Sequence, residues 1–282
     1  MHRPQFFRTY LDRAAHNRKD EEWLKEAWER GRVLVVDPET GNVETDGQDP
    51  PGLVFRSPDD APNGIRLYLG GELRPYFAVT ATVSEGANLR RLATRLSEFE
   101  ADIVMEAVAL ARWHSDHVFH PATGNPTEVS SGGWERRDGE KVIWPRTDPA
   151  IMVLITDGAD RCLLANGVSW PSDRYSCVAG FVDPGESAEA ACHREVLEEV
   201  GIDITGLSYV ASQPWPFPRS LMLAYSAVGD PDATITMEPE EIADARWFTR
   251  EQVRDALAGR PAPLQTAQSA SIARFLLERW AA

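Results

Sequence analysis

Four acidic residues in the stretch from Gly180 to Ile202, GFVDPGESAEAACHREVLEEVGI, have the spacing of a reactive centre. On a helix, Glu198 lies about 60° to one side of Glu195 and Glu199 about 40° to the other, so three carboxylates share one face. Like charges at i,i+3 and i,i+4 weaken an isolated helix and hold their protons more tightly, and a bound cation removes both costs. Oxygen ligands of this kind suit Mg²⁺ or Mn²⁺, which keep several waters and take further ligands from phosphate. Arg194 sits beside Glu198 on the same helix and can pair with it or with Glu186, holding the carboxylates in place.

The elements that must position these residues can be read on either side. CVAGFV (Cys177 to Val182) reads as a strand that delivers Gly180 to a loop, and DPGE turns the chain into a helix from about Ser187 to Val200. Ser187 is a plausible N-cap, with Glu189 in the first turn and Gly201 beyond the end. AIMVLITD and RCLLAN precede as two strands around the turn GAD; LSYVAS, LMLAYSAV, ATITM and ARWFT follow. Thr249 and Gln252 form a capping box that opens a helix to about Ala258, and a last helix runs from about Ser269 to Ala281. Strands on both sides of a central helix indicate an α+β or α/β sandwich rather than a doubly wound sheet.

Earlier in the chain, DEEWLKEAWERG reads as a short helix and RVLVVD as a strand, with further strands at Ile65 to Leu69 and Tyr76 to Thr82. Gln48 to Asn63 is a polar, Pro-rich loop. Leu89 to Trp113 carries apolar residues at helical intervals and reads as one long helix. Trp113 to Pro149 reads as a linker rich in turn residues. In it His114, His117 and His120 invite a zinc reading, but no second ligand group follows at ordinary zinc spacing, and a polar surface segment is expected.

A chain of 282 residues, 43% hydrophobic and 26% charged, has room for two globular units. Its net charge of -15 argues against a general basic grip on nucleic acid, so a phosphorylated substrate must be met locally. The amino terminus has no apolar core of signal-peptide length and no later run approaches a membrane span, so a cytoplasmic protein without membrane contact is expected. Cys162, Cys177 and Cys192 are scattered among apolar residues and read as buried free thiols.

Gly180, Glu186, Arg194, Glu195, Val196, Glu198, Glu199, Gly201 and Ile202 match, position for position, the box that defines Nudix hydrolases. About a dozen residues later, SQPWPFPRS (Ser212 to Ser220) resembles the SQPWPFPxS signature of the NADH pyrophosphatase subfamily, with every specified residue present. Its prolines stiffen the segment, which reads as an extended loop presenting aromatics to flat rings. The resemblance implies a C-terminal Nudix α/β/α sandwich at 147–282, a smaller mixed α/β domain at 1–113, and a linker at 114–146. It also implies a metal-dependent hydrolase, forming a homodimer in the bacterial cytosol, that cleaves NADH or NAD⁺ at the pyrophosphate to nicotinamide mononucleotide and AMP. Family members also remove NAD caps from RNA.

Carried over residue by residue, the likeness makes Glu195, Glu198 and Glu199 metal ligands, with Glu241 a further acidic ligand or base and Glu186 and Arg194 part of the catalytic set. Ala179 and Phe181 fall where the family contacts substrate. Gln213, Pro214, Trp215, Pro216, Phe217, Pro218, Arg219 and Ser220 form its substrate loop. Met222 and Ala273 match further pocket positions, and Trp144 stands where the family has a tyrosine or phenylalanine; a packed strand-edge aromatic is the alternative. Many members carry a four-cysteine zinc ribbon opening Phe-Cys-x-x-Cys-Gly. Here Phe119, His120, Pro121, Ala122, Thr123 and Gly124 stand instead, so no structural Zn²⁺ is expected and the region must be held by packing, through Trp134, Ile143 and Trp144, or across a dimer interface. Two other readings are a Nudix hydrolase for ADP-ribose or a dinucleoside polyphosphate, and an NAD-binding sensor of Nudix fold; the intact acidic box argues against the sensor.

Overall fold

A computed structural model describes residues 9–92, 94–266 and 270–282. Residues 1–8, read above for a signal sequence, and Ser269, read as the start of the last helix, lie outside them. The chain divides into two compact units, one holding the described residues up to Thr147 together with Pro216–Arg219, the other Asp148–Trp215 and Ser220–Ala282.

In the first unit, helix α1 (Glu21–Glu29) starts where the Asp20 side chain accepts a hydrogen bond from the Trp23 N–H. The sheet is made from β1 (Arg32–Val36), β2 (Asn42–Val43), β3 (Phe55–Arg56), β4 (Arg66–Gly70), β5 (Tyr76–Thr80) and β6 (Ala87–Asn88), in the order β4-β5-β1-β2-β6 with β3 beside β1. The segment read as a Pro-rich loop thus contributes one short strand. Helix α2 (Leu89–Leu92) and helix α3 (Glu98–Asp116) replace the single helix expected at Leu89 to Trp113. The break is chemical: Ser97 and Glu100 form a reciprocal capping box, which starts a new helix. Helix α3 is buried over most of its surface and packs on β1 and β4.

The expected linker is instead a small packed sheet of β7 (Glu128–Ser130), β8 (Glu135–Asp138) and β9 (Lys141–Ile143). Trp134 fastens it by donating its indole N–H to Tyr68 O (2.8 Å), and the Arg18 guanidinium lies 3.4 Å over the Trp134 ring. Ile143 is half-buried and Trp144 is 61% exposed, so Trp134 is the anchor of the three aromatics and aliphatics expected to pack. Buried Arg136 donates to Thr127 Oγ1 (2.6 Å), Thr127 O (3.0 Å) and the His114 ring. His114 and His120 are buried, which corrects their reading as surface residues.

His114 Nε2 faces Gly133 O at 2.8 Å while Nδ1 faces the Arg136 guanidinium at 3.0 Å, an arrangement suited to a neutral ring donating from Nε2. Burial, with help from Arg136, pushes its pKa down to about 4. The unfolded chain takes up a proton near pH 6.5 and the folded chain only near pH 4, so the unfolded state binds more protons in that window. Stability is therefore expected to fall as pH drops from 6.5 towards 4, by on the order of 3 kcal/mol from this group. Thermal melts across that range should show a shallower fall for His114→Gln than for the wild type.

In the second unit, strands β10 (Asp148–Thr156), β11 (Arg161–Gly167), β12 (Val178–Phe181), β13 (Ile204–Trp215), β14 (Ser220–Gly229) and β15 (Ile242–Thr249) make one mixed sheet. Its order is β13-β14-β10-β11-β15, with β12 beside β10; β10 and β14 run parallel and the other pairs antiparallel. Residues alternate across its two faces. Ile151, Val153, Ile155 and Leu163 pack with Ala191, Cys192, Val196 and Val200 of helix α4 (Ala188–Val200). Leu154, Cys162 and Leu164 pack on the opposite side with Val253 of helix α5 (Arg250–Leu257) and Ile272, Phe275 and Leu276 of helix α6 (Ile272–Ala281). This is the α/β/α sandwich. The three cysteines are buried and free. Among the described residues no helix is long and apolar enough to cross a membrane.

Candidate active site

Helix α4 carries the acids, and its ends are set by local chemistry. Ser187 accepts from Ala190 N–H (3.1 Å) at the start, and Gly201 closes the helix at φ 69°, a left-handed conformation that glycine adopts without strain. The register of β10 then brings the partners together, because Ala150 stands opposite Phe181 on β12 and Met222 on β14. Ala150, Ala179, Phe181 and Met222 line one pocket of about 740 Å³ together with Glu195, Glu198, Glu199 and Glu241.

Arg194 organises these acids. It donates to both oxygens of Glu186 (2.9 Å each), to Glu195 (2.8 Å), to Glu198 (3.0 Å) and to Phe181 O (2.9 Å). The fork of the guanidinium fits the Glu186 carboxylate edge-on and still reaches two more. Glu186 is brought within reach by the turn after β12, where it also accepts from Asp183 N–H (3.1 Å). The Arg194 guanidinium holds the Glu186 carboxyl below its usual range, and its own pKa is raised by these carboxylates.

Gly180 is required at its position by packing. A Cβ there would stand 2.0 to 2.3 Å from the Glu195 carboxylate, which Arg194 restrains by a hydrogen bond of 2.8 Å. Gly180→Ala is therefore expected to displace Glu195 and lower kcat about tenfold or more, with little change in melting temperature. Steady-state kinetics beside a thermal melt check this.

Burial pushes the pKa of Glu195 up, against the opposing effect of Arg194. Glu199 is pushed up to about 8, first by burial and then by the charges of Glu195 and Glu241. This is the signature of a carboxylate cluster short of positive charge. The donor set, all carboxylate oxygens, fits a hard divalent ion such as Mg²⁺ or Mn²⁺, which Glu195, Glu198, Glu199 and Glu241 would hold. Among the described residues no group of three or more His, Cys, Asp or Glu side chains is gathered closely enough to hold a metal ion.

Three acids not anticipated from the sequence line the same pocket: Asp183, Glu238 and Glu240. Glu238 and Glu240 belong to the turn that presents Glu241, and Glu238 N–H donates to Glu199 O (3.2 Å), tying that turn to the end of α4. The signal was available in the acidic run EPEE itself.

The SQPWPFPRS segment is not, over its whole length, the stiff extended loop expected. Ser212–Trp215 complete the edge strand β13 and pair with β14 (Gln213 opposite Met222, Trp215 opposite Ser220), which leaves Pro216–Arg219 as the tip. Proline is tolerated there because an edge strand has one unpaired side. Gln213 is fully buried; it donates to Ala270 O and accepts from Ile272 N–H (2.8 Å each), fastening the start of α6. Ala273 is buried in α6, outside the pocket lining. Ser220 does line the pocket, whereas Pro214 and Trp215 do not. Pro216–Arg219 cluster with the first unit, where Arg112 donates to Pro216 O (2.6 Å), Arg90 lies 4.5 Å over the Phe217 ring and Arg219 meets Asp116 (3.4 Å). Pro218 is exposed at this tip, and Trp144 is exposed in the same unit.

The NUDIX domain family matches residues 146–269. The "NAD-capped RNA hydrolase NudC" of Mycobacterium bovis is 36% identical over 299 residues, 99% of this chain and 95% of that protein. The Mycobacterium tuberculosis protein of the same name shows the same identity and coverage. The human "NAD-capped RNA hydrolase NUDT12" is 38% identical over 198 residues, 66% of this chain and 43% of that protein. Among solved structures, a NUDIX hydrolase from Nitrosomonas europaea overlaps 48% of this chain and 90% of its own, with 22% identity and a TM-score of 0.37. The box on α4 and near full-length similarity to the mycobacterial relatives lead to one conclusion: the chain is a hydrolase and belongs to the Nudix family.

Proposed function

We propose that this enzyme hydrolyses the pyrophosphate bond of NADH and NAD⁺, giving nicotinamide mononucleotide and AMP, and that it removes NAD caps from RNA. The observation that carries the proposal is the juxtaposition in one pocket of the α4 acids, Glu241 from a separate turn, and Phe181, an aromatic 54% exposed. Carboxylates alone serve diphosphate chemistry; an exposed ring beside them adds recognition of a base. The names of the relatives support the NAD-linked substrate.

When bound, Mg²⁺ or Mn²⁺ neutralises diphosphate oxygens and makes water a better nucleophile. The chain supplies the rest. Arg194 keeps Glu186, Glu195 and Glu198 in register; Glu199, largely shielded from solvent, would hold the ion together with Glu195, Glu198 and Glu241; Phe181 stacks on a base and thereby fixes the diphosphate against the acids. Homodimerisation and action in the cytoplasm belong to the same reading, which rests for them on the subfamily resemblance.

A substrate panel tests the reading. Relative kcat/KM for NADH, NAD⁺, NAD-capped RNA, ADP-ribose and a dinucleoside polyphosphate should favour the NAD-containing compounds. A preference of tenfold or more for ADP-ribose or the polyphosphate would reassign the substrate.

A further inference from the structure

The substrate proposed above has two flat bases, and the pocket at the acids offers one exposed ring, Phe181. A second exposed ring stands in an adjoining hollow of about 230 Å³, which shares Ala179, Glu199 and Glu241 with the larger pocket. The outer wall of this hollow comes from the end of β11 and the turn after it: Gly167, Val168 and Trp170. Val168 is 52% and Trp170 37% exposed, an unusual pairing of apolar side chains next to buried acid.

The turn is built to hold the indole in place. Trp170 N–H donates to Gly167 O (2.9 Å), and Val168 N–H donates to Glu241 O (3.0 Å), which couples the turn to the segment bearing an acid. The indole lies against Gly167 so closely that a Cβ there would touch it at 3.4 to 3.5 Å. The Arg174 guanidinium lies over the ring, 4.7 Å from its centroid and outside the lining of the hollow, and helps to hold the indole. An exposed indole is a surface on which bases stack, and stacking needs no charge on the ligand, so the nearby carboxylates do not oppose it. The volume is below the roughly 300 Å³ at which pockets hold whole ligands, so it accommodates a part of one.

We propose that this hollow is a second base subsite, in which Trp170, flanked by Val168, receives the nucleobase at the end of the dinucleotide opposite the one that Phe181 takes. The proposal rests on the dinucleotide reading above. Glu199 and Glu241, common to both hollows, then lie along the diphosphate between the two rings.

The test compares Trp170→Ala, Trp170→Phe and Phe181→Ala, measuring NADH hydrolysis and its competitive inhibition by AMP and by nicotinamide mononucleotide. Trp170→Ala is expected to raise KM about tenfold with kcat within about twofold, and to weaken one mononucleotide by a similar factor while sparing the other. Phe181→Ala should weaken the mononucleotide that Trp170→Ala spares. Trp170→Phe keeps a ring and should stay within about threefold of wild type in KM, with an unchanged melting temperature. Wild-type values of KM and of both inhibition constants in Trp170→Ala would overturn the proposal, as would loss of the same mononucleotide in both alanine variants. A folded Trp170→Phe protein that loses affinity for both mononucleotides equally would also overturn it. Intact NADH with the wild-type enzyme would remove the dinucleotide reading and the subsite with it, a result distinct from all of these.

Discussion

Glu199→Gln is expected to lower kcat/KM for NADH by about 10²- to 10³-fold, the scale of losing one group that stabilises transition-state charge. The same variant should melt at the wild-type temperature or above it in the absence of added metal. Glu199 is 7% exposed, and its carboxyl is pushed up to about 8 by burial and by Glu195 and Glu241, so its charged form is disfavoured in the folded protein. Glutamine keeps the shape and removes the charge. A site assembled for catalysis at the expense of stability gives this opposition of activity and melting temperature, whereas a carboxylate with a packing role would give a parallel loss of both. Steady-state kinetics and a thermal melt on the same preparation separate the two.

Arg194→Ala should cost activity on a similar scale, about 10²-fold, for a different reason. Arg194 is the shared partner of Glu186, Glu195 and Glu198, and its removal leaves three carboxylates to repel one another and move apart. Arg194→Lys is the informative companion. Lysine supplies a point charge but cannot meet both Glu186 oxygens while reaching Glu195, Glu198 and Phe181 O, so it should recover only a minor part of the lost rate. Full recovery by lysine would mean that charge alone, rather than the forked geometry, is what Arg194 contributes.

Helix α4 was legible in the sequence because its signals are local. Ser187 and Gly201 mark its ends, and the 3.6-residue period places three acids on one face. What lay beyond was set by tertiary partners. Arg194 was expected to meet Glu186 or Glu198; it meets both, with Glu195 and Phe181 O besides, because the turn at Asp183 folds Glu186 back onto the helix. Prolines in Ser212–Ser220 suggested a loop, yet an edge strand accepts proline, and the two-residue alternation that buries Ala211 and Gln213 turns Gln213 into a clasp for α6. The β-branched run ATITM was expected as a strand and is irregular; Thr236 N–H pairs with Val200 O at the end of α4 instead of with a sheet edge. Helix periodicity running through Leu92, Leu96 and Phe99 concealed the break at Ser97, although the capping box SEFE was present. The same bias towards simple local readings made a linker of β7 to β9, whose anchors, Trp134 on Tyr68 and Arg136 on Thr127, connect residues far apart in the chain.

The central claim is that the acids of α4 and Glu241 direct water to the diphosphate of a nicotinamide dinucleotide. Incubating NADH with the enzyme and Mg²⁺ or Mn²⁺, then separating the products by chromatography, tests it most directly. The account predicts equal amounts of AMP and reduced nicotinamide mononucleotide; NADH recovered intact under both metals would contradict it.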